Sequence, residues 1–263
     1  DLRREIDELQ AILSDETALR QVVSDELGDV AQKFGTPRRT ALLESAGVPA
    51  PAAAGASLEV ADDPCWVLLA ANGLIARTTD DTPLGEIGRR AKHDTIVSVV
   101  RATARGQIGV VTASGTTHRL EVLDLPALPP MAESPRLSGA ISVTELISLS
   151  GKALGLMTFD EKSVGLALGT RTGVVKRVKP DFLSNRDSWE VIRLEDGDEL
   201  VGAVELTTGE EELAFVTSDA QLLRFSAAAV RPQGRSGGGI AGVRLAAGEK
   251  VIAFGAIADV ESA

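Results

Sequence analysis

Hydrophobic positions change their period partway along the chain. Leu2, Ile6, Leu9 and Leu13 recur at intervals of four, three and four residues, with charged residues between them. That spacing is a coiled-coil seam and predicts a helix over residues 1–13. Ser14, Asp15 and Glu16 predict a new helix start, with Ser14 as N-cap and the acids near the positive end of the helix dipole. A second apolar stripe follows at Leu19, Val22, Val23, Leu27, Val30 and Phe34, until Gly35 and Pro37 stop it. Two such helices do not bury both stripes on each other alone and want a partner helix. Residues 45–57, SAGVPAPAAAGAS, are small and uncharged with two prolines, and they predict a linker. The expected organisation is therefore a helical arm end over 1–44, a linker over 45–57 and a second domain over 58–263.

Beyond residue 58 the period shortens to that of strands, and one unit recurs. Each copy is a hydrophobic strand, a tight polar turn and a second strand ending in a basic residue. The copies are WVLLAANGLIAR (66–77), IGVVTASGTTHR (108–119), GLALGTRTGVVKR (165–177) and LAFVTSDAQLLR (213–224). Asn72-Gly73, Ser114-Gly115, Thr172-Gly173 and Asp219-Ala220 sit at the turns, where positive φ is needed. Arg77, Arg119, Arg177 and Arg224 fall four residues past the turn each time. A second anchor repeats as well: Ile192-Arg193-Leu194-Glu195-Asp196-Gly197 matches Val243-Arg244-Leu245-Ala246-Ala247-Gly248, 51 residues later. A period of about 50 residues with several short strands per unit is the signature of a propeller-like array. The expected fold class is mainly β, with about four visible blades after an α-helical segment; a plain β-sandwich with similar hairpins is the alternative.

Composition narrows the chemistry. The chain has 263 residues, 27 Lys+Arg against 38 Asp+Glu, a net charge of −11, no Tyr, one Cys and two His. Disulfide pairs, cysteine-rich zinc sites and tyrosine nucleophiles are excluded. No apolar run reaches the ~18 residues of a membrane span, and no signal-peptide pattern is present, so a cytoplasmic location is expected. The chain opens on Asp1 in the middle of a helical pattern, which reads as a piece of a longer polypeptide. No metalloprotease, CxxC, GxSxG or phosphate-loop motif occurs. Cys65 opens a strand beside Trp66 and reads as core. His118 reads as a basic surface group, and Glu210, Glu211 and Glu212 read as solvated loop.

The basic residues carry more information. Arg77, Arg119, Lys176, Arg177, Lys179 and Arg224 lie at strand ends, and further basic sites follow seven to fifteen residues after the strand-end arginines: Arg89, Arg90, Lys92, Arg186, Arg231 and Arg235. Radial repetition would bring equivalent positions to one rim. A spaced cationic band would then track a bent polyanion through its backbone, without reading bases. The glycine-rich box Gln233, Gly234, Gly237, Gly238 and Gly239 adds backbone N–H groups that phosphates approach closely. Ordinary solubilising charges are the competing explanation.

These residues resemble a known family. EIDELQAILSDETALRQVVSDELGDVAQKFGTPRRTALL is similar to the end of the coiled-coil arm of the A subunit of bacterial type IIA topoisomerases, DNA gyrase and topoisomerase IV. TGVVKRV and VRPQGRSGGGIAGVRL resemble that subunit's C-terminal repeats, and the order of arm, linker and repeats is the family's order. The resemblance implies a β-pinwheel that binds and bends duplex DNA around its outer rim. It implies no cofactor in this region; ATP and Mg would be used by other domains. The implied partners are an ATPase B subunit, duplex DNA and the rest of a homodimeric A subunit, with no membrane. The family's strand cleavage uses a tyrosine in a separate domain, so this piece is expected to be non-catalytic, in a cytoplasmic, nucleoid-associated enzyme.

One departure bears on activity. The gyrase first blade carries a glutamine, two arginines and paired glycines before a further basic residue. Here Gly88-Arg89-Arg90-Ala91-Lys92 keeps both arginines and a lysine but lacks the glutamine and the paired glycines. The nearest match, Gln233 to Gly239, falls in the fourth repeat and lacks the second arginine. This favours topoisomerase IV-like decatenation and relaxation, with gyrase-type wrapping or a propeller that binds proteins as alternatives. Residues 1–60 hold 6 basic and 11 acidic groups and residues 61–263 hold 21 and 27. Contact with a polyanion must then be local, and weak and salt-sensitive.

Overall fold

The computed structural model describes residues 2–34, 61–85, 95–128, 136–183 and 185–257. The expected linker, and Arg89, Arg90 and Lys92, lie outside the described residues. The chain divides into two units, Asp1–Ala56 and Ser57–Ala263.

The first unit holds α1 (Leu2–Ser14) and α2 (Glu16–Phe34). The expected cap shifts by one residue. Ser14 ends α1, its Oγ donating to Ala11 O at 3.0 Å, while the Asp15 carboxylate accepts from Thr17 N at 2.9 Å and starts α2. The apolar stripes are exposed: Leu2, Leu13, Leu27 and Phe34 all lie above 60% exposure.

The second unit is four sheets in a propeller-like arrangement, antiparallel apart from one short parallel pair in the third. Its hairpins are the four sequence repeats: β1 (Pro64–Ala70) with β2 (Leu74–Arg77), then, after β3 (Ile96–Thr103), β4 (Gln107–Thr112) with β5 (Thr116–Glu121). After β6 (Ile141–Ser142) and β7 (Ala153–Thr158) come β8 (Leu166–Thr170) and β9 (Val174–Val178). After β10 (Ser188–Glu190) and β11 (Leu200–Glu205) come β12 (Glu212–Thr217) and β13 (Leu222–Ser226). The chain continues through β14 (Pro232–Gln233), β15 (Ile240–Ala241) and β16 (Val251–Ile257).

Strand order shows how the sheets interlock. The first sheet is β3-β1-β2-β6 and the second is β10-β5-β4-β7. The third is β11-β8-β9-β14 with β15 also on β9, and the fourth is β13-β12-β16. In each sheet a later strand, β3, β7, β11 or β16, pairs with the first strand of the hairpin on its inner side. In the first three sheets the outer edge is closed by a short segment that arrives only after the next hairpin has been made. Sheet n is thus completed by chain from sheet n+1, an exchange the repeat pattern alone did not reveal.

The inner strands repeat a second device. Each pairing carries a register shift at one equivalent place, leaving Val97, Leu154, Val201 and Ile252 as bulged residues. All four line one central cavity of about 400 Å³. The next position is small. A Cβ on Gly155 would lie 2.3 Å from Ala203 O, and one on Gly202 would lie 2.2 Å from Phe254 O. In the first sheet the equivalent residue is Ser98, whose Oγ accepts from Leu156 N at 2.9 Å. Small residues here let successive inner strands approach to backbone contact.

Three apolar clusters sit between successive sheets. Val67, Val110 and Leu156 belong to the first, Met157, Leu168 and Trp189 to the second, and Leu213, Phe215 and Phe254 to the third. Cys65 is fully buried in the first cluster, as expected, and burial pushes its thiol pKa up. The far face of the first sheet is covered by its own chain, with Leu128 and Leu137 packed over Leu68 and Ala76.

The four turns share a left-handed residue: Gly73 (φ 84°), Gly115 (φ 75°), Gly173 (φ 89°) and, alone without glycine, Ala220 (φ 63°). An L-residue there pays for its Cβ. Replacing Ala220 by Gly is expected to raise unfolding stability by about 0.5–1 kcal/mol in denaturant titration, with an unchanged m-value. A destabilised variant would mean that the Ala220 methyl makes compensating contacts.

Candidate functional site

The strand-end arginines do share one register position. Arg77, Arg119, Arg177 and Arg224 stand opposite Val67, Gly109, Ala167 and Ala214. Their guanidiniums, however, are not equally available. Arg119 donates to Leu183 O at 2.6 Å and Arg186 O at 3.3 Å and lies over the rings of Phe159 and Trp189, at 4.7 and 5.4 Å. Arg177 donates to Val164 O at 3.1 Å and to Gly209 O at 3.4 Å. Arg77 is half-buried, and its Nη1 lies 3.5 Å from Thr78 O. Arg224 is exposed, 4.0 Å from Glu212. Two of the four repeated arginines, Arg119 and Arg177, are thus collectors of backbone carbonyls, and Arg77 and Arg224 are not.

Lys176 departs furthest from the expected rim role. It is fully buried, and its Nζ donates to Val191 O, Arg235 O and Gly237 O, each at 2.7 Å. Burial pushes its pKa down from 10.5 to about 8. The carbonyls come from two segments that close the outer edges of neighbouring sheets. β14 runs parallel and β15 antiparallel to β9, so residues 234–239 arch over that edge. Gln233 Oε1 accepts from Gly239 N at 3.1 Å, Gly237 N donates to Gly234 O at 3.1 Å, and Arg193 N donates to Gly237 O at 3.3 Å. Gly239 sits at φ +88°, where a Cβ would lie 2.7 Å from Val175 O.

Some of the outward-facing cations lie on or beside these edge segments, while others, among them Arg101, Lys152, Lys162 and Lys250, lie elsewhere on the surface. Lys179, Arg186 and Arg231 are exposed. Arg235 is partly exposed and pairs through Nε with Asp181 at 3.0 Å. Arg186 and Arg235, from the edge loops of adjacent sheets, line one surface cavity of about 600 Å³ with Gly234 and Ser236. Asp181 and Glu190 line it too, so the site is of mixed charge. Arg193 and Arg244 are exposed as well and went unremarked among the candidates, although they occupy equivalent places in the second repeated anchor. Reading that anchor for charge as well as register would have found them.

Two further groups differ from expectation. His118 Nε2 lies 3.0 Å from Ser150 Oγ, and burial lowers its pKa, so it is not a surface cation at neutral pH. Glu211 is no idle loop acid. Burial would raise its pKa, but the N–H groups of Thr208, Thr207 and Gly209 converge on its carboxylate and the net shift is downward. It thereby shapes the turn whose Gly209 O receives Arg177. Among the described residues no cluster of His, Cys, Asp and Glu could hold a metal ion, and no helix is long and apolar enough to cross a membrane.

The Lys176 shift has a defined sign in stability. Between about pH 8 and 10.5 the unfolded chain still holds a proton that the folded lysine has released, so this group's contribution to stability rises with pH. The stability of the wild type relative to Lys176→Met is expected to increase by roughly 2 kcal/mol from about pH 7.5 to about pH 10 in paired denaturant melts. A pH-independent difference would contradict the burial of the ammonium.

Comparison with known proteins points to one group. Residues 211–258 match the family model described as DNA gyrase C-terminal domain, beta-propeller. The DNA gyrase A subunit of Staphylococcus epidermidis (strain ATCC 12228 / FDA PCI 1200) is 28% identical over 271 residues, covering 98% of this chain and 29% of the relative. That of Staphylococcus aureus (strain MRSA252) is 29% identical over 266 residues, covering 94% and 28%. The chain thus spans less than a third of the length of these relatives. A crystal structure of the C-terminal domain of DNA topoisomerase IV shares the fold at TM-score 0.58 and 20% identity, over 76% of this chain and 63% of that one. The resemblance read from the repeats, to the C-terminal region of the A protein of a type IIA topoisomerase, is the one these comparisons carry.

Proposed function

We propose that this chain, similar to the C-terminal region of DNA gyrase and topoisomerase IV A subunits, is the module by which such a subunit binds and bends duplex DNA. The observation that carries the reading is the pair of edge loops that brings Arg186 and Arg235 to one cavity, with Lys179, Arg193 and Arg231 exposed on the same segments. Cations on successive sheets engage successive phosphates, which gives affinity without base readout. The acids in the site and the net charge of −11 keep the contact local and weak. Arg119 and Lys176 act mainly by holding the segments that carry the outward cations, Arg177 braces the turns at Val164 and Gly209, and Arg224, Arg89, Arg90 and Lys92 are further candidate phosphate contacts.

Within the parent enzyme, an ATP-dependent type II topoisomerase with an ATPase B subunit, the module would orient DNA for strand passage. Strand cleavage falls to a domain outside this tyrosine-free sequence. The sparse, mixed-charge site supports a topoisomerase IV-like role in decatenation and relaxation. Gyrase-type wrapping is the second reading, favoured by the staphylococcal relatives, which are DNA gyrase A subunits.

Fluorescence anisotropy with a labelled duplex tests the binding. Log affinity is expected to fall linearly with log salt, by about 0.9 per phosphate engaged, with little dependence on sequence. Arg186→Ala and Arg235→Ala should each lower that slope by about 1. Salt-independent binding, or slopes unmoved by both changes, would overturn the reading. Ligation of nicked circles in the presence of the chain separates the two roles. The topoisomerase IV-like reading expects little change in linking number, and a clear positive shift would establish wrapping instead.

A further inference from the structure

The buried ammonium on β9 has no equivalent in the other sheets. The residues one before each strand-end arginine are Ala76, His118, Lys176 and Leu223, opposite Leu68, Val110, Leu168 and Phe215. In the first sheet the space over Ala76 is filled by Leu128 and Leu137. In the third sheet a cation fills it, and the covering loop is folded around that cation. Two of its three carbonyl partners, Arg235 O and Gly237 O, flank Ser236 in the loop, and the third, Val191 O, belongs to the segment just after β10. The fit is close. A Cβ on Gly239 would meet Lys176 Cβ at 3.3 Å, and one on Gly237 would meet Gln233 Oε1 at 2.5 Å.

This arrangement has an electrostatic consequence. A loop that meets an anion must turn its carbonyl oxygens away from it. Arg235 O and Gly237 O are drawn inward onto the ammonium, while the Arg235 side chain lines the outer cavity with Gly234 and Ser236. Building on the DNA-binding reading above, we infer that Lys176 is a positioning residue: enclosed by residues 234–239, it fixes the loop shape that presents Arg235 to a phosphate, and makes no phosphate contact itself.

A double-mutant cycle on the whole chain tests this, using Lys176→Met, Arg235→Ala and the pair, with duplex affinity and amide hydrogen exchange as readouts. If Lys176 acts through the loop, Arg235→Ala weakens binding about fivefold in the wild type but about twofold or less in Lys176→Met. Lys176→Met also speeds exchange at Gly237 N and Gly239 N and leaves the β12–β13 amides unchanged. Additive effects, with the salt slope lowered by about 0.9 for Lys176→Met alone, would mean direct phosphate contact and would overturn the inference. If the wild type binds no duplex, the DNA-binding reading fails, and exchange alone then decides the loop role: unchanged protection at Gly237 and Gly239 overturns it. Should Lys176→Met not fold, Lys176→Gln, which keeps two N–H donors, replaces it in the same cycle.

Discussion

The second unit depends on how its outer sheet edges are closed. A hairpin strand left unpaired presents a row of free N–H and C=O groups. Here β6, β10 and the β14–β15 arch supply that pairing, and each arrives from chain that has already built the next hairpin. Neighbouring sheets are therefore joined by main-chain hydrogen bonds as well as by the apolar clusters between them. Among the described residues nothing pairs with the outer edge of β13, and Leu222 on it is 60% exposed.

The same closure decides where the cations go. Edge segments cross sheet boundaries, so their carbonyls need donors that reach across. Arg119 serves Leu183 and Arg186 and Lys176 serves Val191, Arg235 and Gly237, while Arg177 serves Val164 and Gly209 in the turns that lead into β8 and β12. With these donors turned inward, the outward charge passes to residues on the segments themselves, above all Arg186 and Arg235. Inward-turned and outward-facing cations are thus distant in sequence but neighbours in space, as Lys176 and Arg119 are to the backbones of Arg235 and Arg186. On an overall acidic chain the outward site is accordingly sparse and of mixed charge.

Much of the fold was legible because turn chemistry and register recur. Asn72-Gly73, Ser114-Gly115 and Thr172-Gly173 need positive φ, and the hairpins fall where those pairs stand. The edge exchange was not legible, since β6 and β14 are two residues long and carry no periodicity of their own. The bulges at Val97, Leu154, Val201 and Ile252 were hidden for a similar reason: one extra residue in a strand leaves its composition unchanged. The site was half legible. Repetition located the basic positions, but a strand-end lysine reads alike whether it faces solvent or three carbonyls, and only the chain folded over Lys176 decides between them.

The central claim is that the edge loops of adjacent sheets, and not the central cavity, form the surface that meets DNA. Hydrogen–deuterium exchange of the chain with and without a saturating duplex tests it most directly. The account predicts new protection over residues 182–193 and 231–239, with the inner strands around Val97, Leu154, Val201 and Ile252 unchanged. Protection confined to those inner strands, or to α1 and α2, would contradict it.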